Sequence, residues 1–229
     1  MTIREIIERV ESTLVSGLPI QIRGGYISHR WIYSVLKSMR SRILIQKVNK
    51  RQNISSWNKQ TLHCIALDIV PDEECLCYSS SSLCRLKRTV EKIPDILSGL
   101  SDYIIESITS NGNKIDIVNK NSVKYQTFSR FTDNKPVAFI DDGYVWIKNG
   151  SYIDHISITA VFDDPIAVVE YNNEHSCDSQ SDCCADVTTN EFPVDNDLAD
   201  TCIMMAIQEI SMAFLKQQNN EETDKEEKN

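Results

Sequence analysis

The chain has 229 residues, with 24 basic and 33 acidic side chains and a formal net charge of -9. Hydrophobic residues make up 41% and charged residues 25%, which excludes wholesale disorder and a fibrous repeat. The length fits one ordinary domain or two small ones, and burial of roughly 70% of the unfolded surface lets such a chain fold without staples. Its apolar runs fall far short of the ~20 residues that a membrane-spanning helix needs. The opening MTIREIIERVE is charged and helix-periodic, unlike a secretory leader. A soluble intracellular protein with no membrane partner is expected.

Ile3, Ile6, Ile7, Val10 and Leu14 form one helical stripe, so a helix is predicted over Thr2 to Ser16. Thr2 and Glu5 have capping-box spacing, and Gly17 with Pro19 ends the helix. A second helix is predicted from a cap at Ser28 to about Lys50, roughly 33 Å long. Ile32, Val35, Leu36, Met39 and Ile43 are its apolar positions, with Lys37, Arg40, Lys47 and Arg51 placed on other faces. Leu62 to Val70 reads as a strand buried on both faces, closed by Pro71. Leu86 to Ile93 is a further strand, closed by Pro94. Two hairpins follow, one across Ser110-Asn111-Gly112 and one across Asp142-Gly143. In the second, Val145 and Ile147 share one face and Tyr144 and Trp146 the other. His155 to Phe162 is the last strand, stopped by Asp163-Asp164-Pro165.

From Tyr171 to Asn196 the composition turns to Asn, Ser, Asp and Cys, which predicts a long loop. Asp195 or Asp197 then caps a third helix to about Gln217, and the polar end is expected to be disordered. The order of elements gives an α+β protein with N-terminal helices, a central, mostly antiparallel β domain and a C-terminal helix. Expected boundaries are a helical segment over 1–60, a β-rich domain over 61–170, an acidic cysteine-containing loop over 171–196, a helix over 197–218 and a tail over 219–229.

Charge is unevenly placed. Ser12 to Leu67 holds nine basic residues and no acid, whereas Glu170 to Asn229 holds fifteen acids against Lys216, Lys225 and Lys228. A basic face for nucleic acid, head-to-tail contact between subunits, and an acidic tail tuned for solubility are the competing readings, with a solvated face the ordinary outcome for a charge run. Trp31, Tyr33 and Trp57 interleave the basic 30–59 stretch, the ingredients of backbone contact with nucleic acid, although no named motif is present.

Eight cysteines raise a metal hypothesis. Cys75, Cys77 and Cys84 are the best candidates, with Cys64 or His63 as a remote fourth ligand, but a one-residue spacer is short of the usual zinc pairing. Free thiols in a loop are the other reading. Cys177, Cys183 and Cys184 beside His175 match no standard arrangement, and an intracellular address argues against disulfides. No Ser-His-Asp order, H-E-x-x-H or G-x-S-x-G element is present, and Gly24-Gly25 lacks the context of a phosphate cradle. His155 beside Asp154 reads as a satisfied sheet histidine. Asp141-Asp142 and Asp163-Asp164 read as turn residues. No enzyme and no cofactor are expected.

Longer phrases carry a resemblance. Arg30-Trp-Ile-Tyr-Ser-Val-Leu-Lys, Trp57-Asn-Lys-Gln-Thr-Leu, Glu74-Cys-Leu-Cys and Cys84-Arg-Leu-Lys-Arg-Thr resemble structural proteins of crAss-like phages. So do Lys92-Ile-Pro-Asp-Ile-Leu-Ser-Gly-Leu and Ile156-Ser-Ile-Thr-Ala-Val-Phe-Asp-Asp-Pro, so that the similarity spans roughly residues 28 to 170. The family resembled looks like a head-to-tail connector component, a ring docking beneath the portal. That resemblance implies a non-enzymatic virion protein at the head–tail interface, assembled in the host cytoplasm. It implies about twelve copies in a ring beneath the portal, touching the portal and neighbouring tail or ring proteins while packaged DNA passes through. Heterologous contacts of this kind close into rings. Arg30, Lys37, Arg40, Arg42, Lys47 and Arg51 are the interface candidates, opposed by C-terminal acids. The 177–186 insert and the acidic tail lie outside the resemblance.

Overall fold

The computed structural model describes residues 1–17, 27–71, 86–100, 102–123, 135–175 and 187–226. In chain order these form α1 (Ile3–Gly17), α2 (His29–Asn49), β1 (Gln60–Ile69), β2 (Leu86–Thr89), β3 (Ile105–Ser110), β4 (Asn113–Ile117), β5 (Val137–Asp141), β6 (Tyr144–Lys148), β7 (His155–Ala160), α3 (Pro165–Glu174) and α4 (Asn196–Glu226). Short 3-10 turns occupy Ser56–Asn58 and Val187–Thr189. The α+β class read from the sequence holds. The chain divides into a helical unit, residues 1–58 and 186–229, and a β unit, residues 59–185.

In the helical unit α1, α2 and α4 pack together. The capping box at Thr2 forms in both directions. Glu5 N–H donates to Thr2 Oγ1 at 3.2 Å, and Thr2 N–H donates to Glu5 Oε2 at 2.9 Å. The stripe Ile3, Ile6, Ile7, Val10 and Leu14 is buried, as its spacing demands. It meets Ile32, Leu36, Met39 and Leu44 of α2 and Ala199, Cys202, Ile203, Ala206 and Ile210 of α4 in the buried set. The N-terminus is stitched down by an antiparallel bridge, Thr2 to Glu191, with Ile3 N–H on Asn190 O and Phe192 N–H on Met1 O. Ser28 occupies the cap of α2, but its side chain makes no capping bond. At α4 the Asp195 carbonyl accepts from Leu198 and Ala199 N–H, and the helix continues to Glu226, nine residues past the expected end at Gln217.

The β unit is a closed barrel of seven strands in the order β1-β2-β6-β5-β4-β3-β7, with β7 returning to β1. Every pairing is antiparallel except β4 with β5, which is parallel. Both hairpins turn where expected, on two residues with positive φ: Asn111 and Gly112 at 48° and 78°, Asp142 and Gly143 at 51° and 78°. Those signs are the mirror-image turn that matches strand twist. Leu62, Ile65, Ile108, Ile115, Ala138, Val145, Ile147, Ile156, Ile158 and Ala160 converge from six strands to fill the interior. The alternate residues Phe139 and Trp146 form an outer cluster with Val70, Leu86 and Val123, their rings stacked at 5.9 Å. The two-faced pattern of β6 is therefore as the alternation predicts.

Two departures have local causes. β1 is not buried on both faces: His63, Ala66, Asp68 and Ile69 are exposed. Cys64 takes a φ of 55°, and the register against β7 shifts between Leu62 and Ile65. This bulge lets both Leu62 and Ile65 point inward although they lie three residues apart. The second departure is α3, which replaces the start of the expected loop. Asp164 accepts from Ile166 N–H at 3.0 Å with Pro165 in the first turn, so the residues that stop β7 also start a helix. Asn172 of α3 then serves the bulge. Its Oδ1 accepts from His63 N–H at 3.1 Å and its Nδ2 donates to Thr61 O at 3.0 Å.

Candidate assembly surfaces

The basic candidates on α2, with Arg51 just past its end, do not form one face. Arg30, Arg42 and Arg51 are exposed, Lys37 and Lys47 are half-buried, and Arg40 is 1% exposed. The helix-face count had set Arg40 outward; its guanidinium is instead held inside the helical unit. Nε donates to Pro193 O at 2.9 Å and Nη2 to Asn58 O at 3.1 Å. Asn58, fully buried, also accepts from Asp195 N–H through its side chain at 3.0 Å. Arg40 and Asn58 thus pin together the points where the chain leaves and rejoins this unit.

Sequence ends that looked opposed in charge are neighbours in space, because α2 packs on α4. Arg42 approaches Glu209 at 4.0 Å and Arg9 meets Asp200 at 3.0 Å, both pairs largely exposed. Such pairs contribute about 0–1 kcal/mol each. Trp31 stands edge-on to Phe214 of α4 at 5.7 Å, so it is a packing residue rather than a free stacking platform. Trp57, on the 3-10 turn, is 69% exposed. Met204 and Met212, two turns apart on α4, are exposed as well.

On the barrel, an open groove of about 710 Å³ lies where residues 98–100 and 102–105 face 117–120 and Ile140. Leu100 (83% exposed), Tyr103, Ile105, Ile117 and Ile140 bring apolar side chains to a mixed lining that also holds Ser98 and Asn119. Its charged members are Asp102 and Lys120, and Lys120 is engaged by Asp141 at 2.7 Å. No alternation or motif signals this groove in the sequence, because its walls come from separate loops and the ends of three strands.

Other polar groups are structural. Lys87 donates to Ile153 O at 2.8 Å and to Asp154 Oδ1 at 2.9 Å, and that hydrogen bond and charge hold the Asp154 carboxyl below its ordinary range. Burial, assisted by the charge of Glu91, pushes the Tyr171 hydroxyl up to about 12. Tyr171 stacks on His175 at 4.3 Å, and His175 faces Glu91 at 2.8 Å and Tyr171 O at 2.9 Å. His155 is exposed at the start of β7 rather than packed in the sheet. Burial also raises the Cys202 thiol to about 11, against the opposing charge of Arg40. None of these groups is a poised nucleophile with an adjacent base.

Among the described residues, no group of three or more His, Cys, Asp or Glu is placed to hold a metal. Cys75, Cys77 and Cys84, and Cys177, Cys183 and Cys184, lie outside the described residues, as does Gly24-Gly25. Cys64 is disulfide-bonded, contrary to the expectation of free intracellular thiols. No described helix is long and apolar enough to cross a membrane.

Comparison with known proteins adds the identity of the scaffold. No curated protein matches the chain. A family described as phage tail ring protein 2, of the crAss-like ring proteins, matches residues 24–229, which include α2, the whole barrel and α4. The chain belongs to this family, and its role is that of a structural ring component of a phage tail.

Proposed function

We propose that this ring protein is the connector that joins the portal to the tail. In this reading about twelve copies close around the path of the packaged DNA at the head–tail interface, after assembly in the host cytoplasm. The chain acts by geometry and performs no catalysis. The family match over residues 24–229 is the observation that carries the reading. The fold is compatible with it: the seven described strands close on one another, so among the described residues the surfaces open to another copy are side chains and helices rather than a strand edge. Exposed apolar residues stand on both units, Trp57, Met204 and Met212 on one and Leu100, Tyr103 and Ile117 on the other. Different patches on one chain suit the head-to-tail contacts of a ring.

Arg30, Lys37, Arg42, Lys47 and Arg51 are the charged candidates for contact with the portal or a neighbour; buried Arg40 has a structural task. The test is light scattering on the protein co-expressed with its portal. A joint complex is expected, and a triple reversal of Arg30, Lys47 and Arg51 to Glu should weaken it while leaving the circular dichroism spectrum unchanged. Unweakened assembly of that variant would remove the basic interface. A chain that never associates with the portal would remove the connector reading itself.

A further inference from the structure

We propose that Trp57 of one copy inserts into the barrel groove of the next copy, residues 98–100, 102–105 and 117–120 forming its socket. The inference deepens the ring reading and rests on it. A head-to-tail ring needs two different surfaces on the same chain, one to give and one to receive. Of the three tryptophans, Trp146 is buried in the outer cluster of the barrel and Trp31 packs on Phe214, whereas Trp57 is 69% exposed. It sits on a short turn fixed from beneath by fully buried Asn58, so the ring is presented on a rigid base. Tryptophan is among the residues enriched at interface hot spots.

The receiving surface has the matching properties. The groove of about 710 Å³ has ample room for an indole, and Leu100, Tyr103 and Ile117 expose apolar surface around it. Charge matches too. Among the described residues, Asp102 and Lys120 are the groove's charged members, and together with Asp141, which engages Lys120 at 2.7 Å, they sum to one negative charge. The segment before Trp57 carries Lys50 and Arg51, both exposed, with no acid between them and the tryptophan. One indole buries ~150–250 Å², against ~1,200–2,000 Å² in a stable interface. Trp57 is therefore an anchor within a wider contact.

The test places photoreactive benzoylphenylalanine at position 57 of the full chain and mixes isotopically light and heavy copies before co-assembly with the portal. After illumination, crosslinked peptides are sequenced by mass spectrometry. Mixed light–heavy crosslinks to residues 98–100, 102–105 or 117–120 are expected. In parallel, Trp57→Ala and Leu100→Asp should each raise the concentration needed for half-assembly at least tenfold. Rings that form normally but crosslink elsewhere, or that tolerate both substitutions, overturn the socket and leave the ring reading standing. Failure of the unmodified chain to form any ring overturns both.

Discussion

Replacing Arg40 with Met tests whether the centre of the helical unit is understood. The substitution keeps an unbranched stem of similar reach and removes the guanidinium, with its bonds to Pro193 O at 2.9 Å and Asn58 O at 3.1 Å. Hydrogen bonds to a charged donor contribute roughly 1.5–3 kcal/mol each, and the two acceptors would be left in an interior where Arg40 is 1% exposed. Burial of the thioether offsets part of this. A net loss of about 2–5 kcal/mol is expected from the two lost bonds and the acceptors left unsatisfied. Arg30→Met, at an exposed site on the same helix, should fall within about 0.5 kcal/mol of the parent. Urea unfolding followed by far-ultraviolet circular dichroism measures both. A loss below about 1 kcal/mol for Arg40→Met would refute the pinning role and return this residue to the surface candidates.

Other perturbations probe the barrel and the thiol. Asn172→Ala should cost about 1–3 kcal/mol, because Thr61 O and His63 N–H lose the amide that serves the bulge; a neutral result in denaturant titration would show that solvent serves them equally well. Gly150→Ala would set a Cβ 2.5 Å from Ile147 Cγ2 and 3.2 Å from Ile153 Cδ1, so a loss of about 1–3 kcal/mol is expected. A melting temperature unchanged from the parent would contradict that close approach. The Cys202 thiol is raised from 9.0 to about 11, so the fold favours its protonated form. That contribution is complete below pH 9 and is lost as pH rises through about 11. Cys202→Ala should flatten the alkaline loss of stability, and an identical slope in the variant would exclude the thiol as its source.

Local chemistry made some elements legible. Asn111-Gly112 and Asp142-Gly143 mark their hairpins because positive φ at both positions is a demand on residue type. Thr2 and Glu5 mark a helix start for an equally local reason. By contrast, Asp163-Asp164-Pro165 has two valid readings, strand stop and helix cap, and the second went unread although Asp followed by Pro is a good opening for α3. Barrel closure and the parallel β4–β5 pair depend on contacts between distant segments, which no periodicity encodes. Arg40 was hidden for the same cause, since its acceptor Pro193 lies 153 residues away. The groove was invisible because its walls come from chain segments far apart in sequence, whereas Trp57 was visible as a residue but not as an exposed one.

Particle imaging of the protein purified with its co-expressed portal tests the central claim most directly. A closed ring stacked coaxially on the portal is expected, with a ring mass of roughly 313 kDa, twelve times the 26.1 kDa chain. Isolated 26.1 kDa monomers beside bare portals would contradict the connector reading.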